Sequence, residues 1–399
     1  MIGIKNVGNT CYLNSGVQSL LALDSMKQLI LDDEVVKRLE SNFKKEPKER
    51  TRLVYSFWLL SRDILKGVKP NPNRFISSLW SLYPHLSDYT QQDSVEFVQL
   101  LLDSIHEELK IQIEPEASTS DDDQTKIQKI EADETPPVLD EPNKKVDGKP
   151  QVSGDPNNLY KQLIPKHDAS TKIPKQKYTS PIQEKFGGFL QSELKCNQCG
   201  TPSNCVDPFF DISLSMPDEN PQEHDENIFK KVYKLLKSVV SSLPLLNLLL
   251  CGQTYSLLQL LVLFFSRQPL DEDMNCEACK CKRSGSKKFR VLKVPDVLCF
   301  HIKRFSHTRY SFLFNYSFLQ KRTNHVTFPS EINVDGTTYK LKSVVNHHGS
   351  SLAGGHYTSF VIDKLFGWWL CDDKYTKKVA LEDVESSEVY LLFYEKVHE

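Results

Sequence analysis

The sequence predicts an α+β fold in which a helical amino-terminal part precedes a β-rich carboxyl-terminal part. Three observations support this. In the first part, apolar residues recur every three or four positions, as Leu53, Phe57, Leu60 and Ile64 do. From Lys288 onward, apolar and polar residues alternate, which is typical of antiparallel strands with one face buried. Two C-x-x-C pairs lie between these two parts.

The composition is that of an ordinary soluble protein. With 399 residues the chain is long enough for two or three lobes, and 39% of its residues are hydrophobic and 26% charged. The formal net charge of −2 gives no basis for nucleic-acid binding. The ten cysteines do not suggest a disulfide framework, and the first residues lack the apolar core of a secretory signal. We therefore expect a reducing, cytoplasmic setting, with a perinuclear or membrane-associated position as the alternative.

Cys11 lies where the first helix is expected to begin. Gly8 and Asn9 end an extended approach, and Asn9 or Thr10 can cap the helix. The free amides and the macrodipole of a helix N-terminus favour a thiolate, the form that attacks carbonyl groups. The side-chain amide of Asn6 could then point at the oxyanion that forms. The alternative is that Cys11 is a small buried hydrophobe.

A second informative helix follows the sequence TQQDSVEF. Thr90 is predicted to cap it, with Asp93 in the position of the usual capping-box acid. Its apolar stripe is formed by Val95, Val98, Leu102 and Ile105. Asp93 and Glu96 are thus acids of the first turn. They serve either to cap the helix or to contact a basic peptide tail.

The segment 113–182 differs sharply from its surroundings. It is rich in acids, Lys, Pro, Ser and Thr, and it is nearly free of aromatic residues. Such a segment cannot bury enough apolar surface to offset the entropy of ordering. The sequence therefore predicts a disordered acidic insertion, after which strands begin in PIQEKFGGFLQSELKC.

The two C-x-x-C pairs have the spacing of a zinc site. Cys196 with Cys199 and Cys276 with Cys279 could place four thiolates on one ion, which predicts a closed tetrahedral structural zinc. Cys281 lies two residues after Cys279, so the sequence leaves open which thiolates bind the ion. The alternative to a zinc site is that these thiols bind no metal. Three further cysteines fit no pair and are predicted to be packing residues: Cys205, Cys251 and Cys299.

Between the pairs lies an uncharged apolar stretch, 238–266. Its length and the lysines before it are typical of a membrane span. A single crossing would, however, separate the two halves of the zinc site. A hairpin turning near Gly252 would have arms too short for a hydrocarbon core of ~30 Å. We expect an insertion that packs on the protein, with contact to a membrane surface as the alternative.

His356 is the candidate base. It follows Gly354 and Gly355, which permit close passage of a substrate backbone, and it opens a strand. A short hairpin would bring Asp372 and Asp373 beside it, completing a cysteine, imidazole and carboxylate triad for acyl transfer. Side-chain alternation allows only one of the two acids to face the imidazole in a regular strand, and the sequence leaves open which one.

Five motifs in this order resemble those of the ubiquitin-specific proteases, a family of papain-like cysteine deubiquitinases. They are NVGNTCYLNS from Asn6, QQDSVEF at 91–97, the paired C-x-x-C, LCFHIKRF at 298–305, and GGHYTSFV at 354–361 followed by WWLCDD. The resemblance covers about 1–110 and 183–399. The apolar stretch is similar to an insertion in the subgroup of von Hippel–Lindau-interacting deubiquitinating enzymes.

The resemblance implies a papain-like, hand-shaped α+β fold with a helical thumb, an antiparallel β palm and zinc-stabilised β fingers. The thumb would span 1–112 and carry the nucleophile. The palm and fingers would span 183–399. Within them, the fingers would lie at about 190–215 and 268–300, and the apolar insertion at 228–267.

The resemblance also implies roles for individual residues. The catalytic set would be Cys11 as nucleophile, His356 as base and then acid, Asp372 as orienting acid and Asn6 as oxyanion donor. Asp373 is the alternative orienting acid, because Cys371 replaces the Phe that usually precedes the acid pair. Substrate-binding residues would be Asp93, which would hold the basic tail of ubiquitin, and Gly354, Gly355 and Tyr357. The zinc ligands would be Cys196, Cys199, Cys276 and Cys279, and catalysis itself would need no cofactor.

The implied function is hydrolysis of the isopeptide bond between the C-terminal glycine of ubiquitin and a substrate lysine. The expected partners are ubiquitin and ubiquitinated proteins, with no nucleic acid and with a membrane surface as a further contact through 238–266. A catalytically inactive ubiquitin-binding scaffold is the alternative. A nucleic-acid-binding zinc module is disfavoured, since no basic helix accompanies the cysteine pairs.

Overall fold

The computed structural model describes residues 1–397 except 46, 89, 114–172, 175, 218–253, 271, 310–316, 335 and 352–353. The helices of this part are α1 (Cys11–Ala22), α2 (Asp24–Leu31), α3 (Asp33–Lys45), α4 (Glu49–Leu65), α5 (Asn73–Leu82), α6 (Ser94–Leu109), α7 (Pro181–Phe186), α8 (Leu257–Phe265) and α9 (Leu381–Glu385), with a 3₁₀ turn at Pro84–Leu86.

The strands are β1 (Ile111–Gln112), β2 (Tyr178–Thr179), β3 (Gly188–Cys196), β4 (Pro202–Phe209), β5 (Ile212–Ser215), β6 (Thr254–Ser256), β7 (Gln268–Pro269), β8 (Met274–Cys276), β9 (Cys281–Arg283), β10 (Gly285–Lys293), β11 (Val297–Lys303), β12 (Phe305–Arg309), β13 (Ser317–Lys321), β14 (His325–Thr327), β15 (Glu331–Val334), β16 (Thr337–Ser351), β17 (Gly354–Asp363), β18 (Gly367–Asp372), β19 (Tyr375–Lys378) and β20 (Val389–Lys396).

An eight-stranded sheet organises the molecule, in the order β19-β18-β17-β16-β20-β11-β5 with β15 paired to β16. Its pairs are antiparallel, as predicted, except that β5 runs parallel to β11. The prediction of one buried face is wrong, because helices cover one face and α8 with neighbouring strands covers the other. The first seven residues of β20 are all buried, as expected for a strand packed on both sides.

Helix α1 is the centre of the helical part, since all twelve of its residues are buried. Gly16 allows α6 to pack closely, because a Cβ there would lie 2.8 Å from the ring of Phe97. Thr10 occupies the N-cap position, but its hydroxyl accepts a hydrogen bond from the Val7 N–H rather than from the helix. The side chain of Thr10 therefore does not cap the first turn of α1.

Helix α6 is capped by Asp93 and not by Thr90. The Asp93 carboxylate accepts a hydrogen bond from the Val95 N–H at 2.8 Å. The hydroxyl of Thr90 instead donates to the nearby carboxylate of Asp88 at 2.7 Å, which explains why the predicted cap is wrong. The predicted apolar stripe of this helix is confirmed as buried.

The acidic insertion falls almost wholly on 114–172, outside the described residues, so its disorder stays a prediction. At its two ends, β1 pairs with β2. The chain then forms α7 where strands were expected. Ser180 caps this helix by accepting a hydrogen bond from the Gln183 N–H, and Pro181 is well suited to the first helical position. Strand β3 begins only after this helix.

The apolar stretch is described from Thr254 onward. Ser256 and Gln259 form a reciprocal capping box for α8, whose apolar residues are largely buried against the protein. For this part, packing on the protein is confirmed. The rest of the stretch, 238–253, lies outside the described residues, so contact with a membrane surface through 238–266 stays a prediction. Among the helices described, none combines the length and the apolar character needed to cross a membrane.

The region with the cysteine pairs is built from smaller sheets. Strands β4, β3, β10 and β7 form a four-stranded sheet in that order, and β8 pairs with β9 in a separate hairpin. In this region the sulfurs of the two C-x-x-C pairs come together, at a turn after β3 and at the β8–β9 turn.

Candidate active site and metal centre

Cys11, His356 and Asp372 come together from three elements of the fold. Cys11 is the first residue of α1, His356 lies near the start of β17, and Asp372 ends β18. The Nε2 atom of His356 lies 2.7 Å from Oδ1 of Asp372. The Cys11 side chain interacts with the same imidazole. Because Nε2 is taken by the carboxylate, Nδ1 is the ring nitrogen left for the thiol.

The surroundings of His356 favour its protonated form. The Cys11 side chain is the main cause that raises the pKa of His356 from 6.5 to about 9; partial burial opposes this shift and Asp372 adds to it. The imidazolium is therefore the favoured form at neutral pH. The side chains of His356 and Asp372 are 38% and 46% exposed, whereas Cys11 is 3% exposed. The thiol thus lies on the covered side of the imidazole.

Asp373 serves a different group from Asp372. Its Oδ2 accepts a hydrogen bond from Asn6 Nδ2 at 2.9 Å, and its Oδ1 accepts one from Asn14 Nδ2 at 2.7 Å. Asp373 has φ 49°, a left-handed conformation that ends the alternation of β18. Asp372 is thus the acid that contacts the imidazole, and the turn directs Asp373 to two asparagines of the same site.

The Asn6 amide is held at both ends. Its Oδ1 accepts hydrogen bonds from the Thr10 N–H at 3.1 Å and the Thr10 hydroxyl at 3.3 Å. Because a backbone N–H can only donate, the atom of the Asn6 amide that faces Thr10 must be its oxygen. The Nδ2 group has two N–H donors, and Asp373 accepts from one of them. The second donor is the one that an oxyanion could use.

Asn14 is the site residue that the sequence analysis missed. It is 3% exposed and lies in the same helix as Cys11. A buried amide needs hydrogen-bond partners, and this requirement was the signal that could have found it. The sequence predicts Thr10 only as a helix cap, whereas in the structure its N–H and hydroxyl fix Asn6.

Asp93 lies at the edge of the same region. Both of its carboxylate oxygens accept from the hydroxyl of Tyr390, at 2.9 and 2.8 Å. Burial is the main cause that raises the pKa of Asp93. Its position fits both readings of the sequence, since it caps α6 and lies beside the strands that carry the site.

The other predicted substrate-binding residues divide into two groups. Tyr357 is 1% exposed and packs on the ring of His347 with centroids 4.6 Å apart, so it supports the site from behind in this structure. Gly354 and Gly355 are exposed at the start of β17. A Cβ on Gly355 would lie 2.6 Å from His347 Nε2, so this glycine is needed for packing.

Four cysteines form a second site. The Sγ atoms of Cys196, Cys199, Cys276 and Cys279 all lie within 4.8 Å of one another. A zinc ion with bonds of ~2.3 Å to four thiolates would place the sulfurs about 3.8 Å apart, so the cluster fits this metal. Each pair lies on a tight turn, with Gly200 and Lys280 at φ 72° and 56°.

The remaining cysteines lie outside this cluster. Cys281 is directed to the carbonyl of Cys279, with its Sγ 3.2 Å from that oxygen. Cys299 is 3% exposed, which confirms its packing role. Cys205 is exposed on β4, so its predicted packing role is wrong. Cys251 lies outside the described residues.

Residues 2–394 match the family model described as ubiquitin carboxyl-terminal hydrolase. The chain belongs to this family. The match spans both the helical part and the sheets, so the resemblance to the ubiquitin-specific proteases is confirmed.

Two curated members of the hydrolase family show the degree of similarity. Ubiquitin carboxyl-terminal hydrolase 3 of Mus musculus is 25% identical over 421 residues, covering 98% of this chain and 67% of the relative. Ubiquitin carboxyl-terminal hydrolase 2 of Bos taurus is 26% identical over 412 residues, covering 99% of this chain and 55% of the relative. The chain thus spans about two thirds and about half of their lengths.

The fold is similar to that of a solved member of the family. The structure of the SAGA Ubp8/Sgf11/Sus1/Sgf73 DUB module bound to ubiquitin aldehyde matches with a TM-score of 0.61 at 19% identity, covering 100% of this chain and 70% of that chain. A second structure, of the Ubp8-Sgf11-Sgf73-Sus1 SAGA DUB module, matches with a TM-score of 0.59 at 18% identity, covering 100% of this chain and 68% of that chain. These likenesses confirm the predicted hand-shaped fold of the hydrolase.

Proposed function

We propose that this hydrolase is a thiol-dependent deubiquitinase that cleaves the isopeptide bond between the C-terminal glycine of ubiquitin and a substrate lysine. The observation that carries the proposal is the meeting of Cys11, His356 and Asp372 in a chain of this family. The filled triad argues against the alternative of an inactive ubiquitin-binding scaffold.

The geometry defines the acylation step. The Cys11 thiolate attacks the carbonyl carbon of the terminal glycine, and the carbonyl π electrons move to the oxygen. The second N–H of Asn6 and an amide at the start of α1 donate to this oxyanion. His356, held as an imidazolium, gives its proton to the departing lysine amine, and the C–N bond breaks. A thioester between Cys11 and ubiquitin remains.

Hydrolysis of the thioester reverses the role of His356. The neutral imidazole takes a proton from water as the oxygen attacks the thioester carbonyl. The C–S bond then breaks and the Cys11 thiolate with the imidazolium is restored. Ubiquitin leaves with a C-terminal carboxyl group, which releases the second proton of the water to solvent and becomes a carboxylate. Asp372 keeps the ring in the required orientation in both steps, and Asp373 holds Asn6.

We assign the basic C-terminal tail of ubiquitin to the side of the site where Asp93 lies. The carboxylate of Asp93 accepts a hydrogen bond from Tyr390 at the start of β20, and β20 is two strands from the strand that carries His356. A cationic side chain beside Asp93 would favour the ionised carboxylate, opposing the effect of burial on its pKa. The exposed glycines at 354–355 leave room for a narrow tail.

We propose that the cysteine cluster holds a structural zinc ion. Four thiolates close the coordination shell and leave no position for a substrate, so the ion would stabilise the fold and take no part in the reaction. All nine cysteines that the structure describes are free. Free thiols on an exposed strand and in a metal cluster support the proposed cytoplasmic, reducing setting.

The test of the proposed function is hydrolysis of ubiquitin carrying a C-terminal aminocoumarin amide. We expect Cys11→Ala to reduce kcat by at least about 10³-fold, as for loss of a nucleophile in a catalytic triad. Cys205→Ala, which removes an exposed thiol, is the matched control and should leave the rate unchanged. Thermal unfolding of both variants shows whether they are folded. Hydrolysis that persists in folded Cys11→Ala would refute the proposal.

A further inference from the structure

The active site lies along one edge of the eight-stranded sheet. Neighbouring strands are antiparallel in this part of the sheet. The first residues of β20, β17 and β19 and the last residue of β18 therefore lie at this same edge. Tyr390, His356, Asp372 and Tyr375 follow one another across it. Adjacent strands are about 4.8 Å apart, so the β19 backbone lies about 10 Å beyond that of β17.

This order gives the substrate a direction. Under the proposed function, the ubiquitin tail passes Asp93 and Tyr390 and therefore reaches His356 from the β20 side. The scissile bond lies at Cys11 and His356. The departing lysine and the polypeptide that carries it must then continue on the opposite side, past β18 and β19.

An exposed aromatic ring stands on that side. Tyr375 lies opposite Asp372 in the register and is 66% exposed. The Lys374 ammonium lies 4.9 Å from the centroid of its ring. The ring can therefore receive the alkyl stem or a peptide group of a passing chain at small cost in side-chain entropy.

The same turn carries unpaired positive charge. Ile4 donates its N–H to the carbonyl of Asp373 at 2.8 Å, which places the exposed Lys5 beside the turn. Within the described part of the chain, neither Lys5 nor Lys374 has a carboxylate at ion-pair distance. The two acids next to this turn in sequence are already engaged, Asp372 with His356 and Asp373 with two asparagines.

We propose that the β18–β19 turn recognises the acceptor polypeptide, and that it selects modified lysines with acidic residues close by in sequence. Tyr375 would pack on the acceptor backbone, and Lys374 and Lys5 would attract its carboxylates. This inference rests on the proposed function and adds the substrate class to it.

The test compares ubiquitin joined through an isopeptide bond to three peptides, whose central lysine is flanked by Asp and Glu, by Ser, or by Lys and Arg. The acceptor-free aminocoumarin amide is measured alongside. We expect kcat/KM for the acidic peptide to exceed that for the basic peptide by about tenfold, as for one or two exposed charge pairs. Tyr375→Ala and Lys374→Gln should each reduce cleavage of the acidic peptide by about fivefold.

Two comparisons make the test specific. Both variants should cleave the aminocoumarin amide at the wild-type rate. Lys378→Gln removes a lysine from the far end of the same strand, opposite Trp369, and should leave the peptide preference intact. No hydrolysis of any substrate by the wild-type chain would instead mean that the proposed function itself fails.

The other outcomes overturn the inference. Equal rates for the three peptides, or a preference that survives both variants, would show that the turn does not read the acceptor. A preference for basic flanks would point to the neighbouring cavity of about 440 Å³, which Asp383 and Glu388 line. An equal loss on the aminocoumarin amide would show that Tyr375 only supports Asp372.

Discussion

The two cysteine sites use the same side chain for opposite purposes. Cys11 is a single thiol at the start of a helix, beside an imidazole that a carboxylate orients. The four cysteines of the cluster lie on two tight turns and face one another. They are Cys196, Cys199, Cys276 and Cys279. One thiolate next to a proton donor is a nucleophile, whereas four thiolates around one point are a closed metal shell. The neighbours, rather than the cysteine itself, decide between reactivity and ligation.

The largest effect that this comparison predicts comes from the proposed zinc site. Structural zinc contributes an apparent binding free energy of about 10–16 kcal/mol in zinc-finger peptides. Cys276→Ser, or a strong chelator, should therefore remove the ion and release amide-exchange protection in β8, β9 and the turn after β3. Zinc content and hydrogen exchange measure this.

The controls separate the two sites. Cys281→Ser should keep the full zinc content, because that sulfur is outside the cluster. Alkylation of Cys11 should continue in the chelated protein. If the protein as isolated holds no zinc, or if chelation leaves exchange in the turns unchanged, the assignment of a metal site is wrong.

The next effect concerns Asn6 and the acid that holds it, Asp373. Asn6→Ala should reduce kcat by about 10²–10³-fold, as loss of an oxyanion donor does. Asp373→Ala should have a similar effect, because it releases the Asn6 amide. The double variant should then be hardly worse than Asn6→Ala alone, which shows that the two residues act through one interaction.

The same comparison of single and double variants, made with Asp372 in place of Asp373, should give a different result. Asp372→Ala acts on the imidazole and should lower kcat further in the Asn6→Ala background. If the losses of kcat in Asn6→Ala and Asp373→Ala multiplied in the double variant, the structure would be contradicted, because Asp373 would then act on a group other than Asn6. Asn14→Ala, which removes the second partner of Asp373, should give a smaller loss of the same kind.

The smallest effect concerns pH. The pKa of His356 is raised to about 9, mainly by Cys11, so the rate should fall as the pH rises through about 9, where the proton for the leaving amine is lost. In Cys11→Ala the main cause is absent, and the pKa of His356 should move back towards 6.5. Nuclear magnetic resonance of the imidazole protons follows this titration.

The same shift has a stability consequence with a defined sign. A folded pKa above the unfolded value stabilises the protein below about pH 6.5, and this contribution disappears as the pH rises through about 9. The side chain is more than one third exposed, so solvent screening keeps the contribution small. A His356 pKa that does not change in Cys11→Ala would contradict the described contact.

Features set by local pattern could be predicted from the sequence. The helix that begins at Cys11, the hairpin that brings Asp372 to His356 and the turns with paired cysteines each follow from spacing within a short segment. The rest depends on contacts between distant segments. Asn14 finds its partner in Asp373, and the second buried face of the sheet depends on α8.

One wrong prediction and one question that the sequence leaves open have equally specific causes. Thr90 is not the cap of α6, because Asp88 takes its hydroxyl and leaves Asp93 to bond the helix. The sequence leaves open which of Asp372 and Asp373 faces the imidazole; in the structure Asp372 does, and the left-handed conformation of Asp373 directs its carboxylate to Asn6 and Asn14. Neither result could be read from residue type alone, because both depend on the path of the backbone.

The central claim is that Cys11 is the single thiol activated to attack the C-terminus of ubiquitin. Ubiquitin with a C-terminal propargylamide traps such a thiol as a stable thioether, and mass spectrometry of the digested adduct identifies the residue. We predict one ubiquitin per chain, attached to Cys11, and no adduct with Cys11→Ala. Failure to form an adduct, or attachment to the exposed Cys205, would contradict the account.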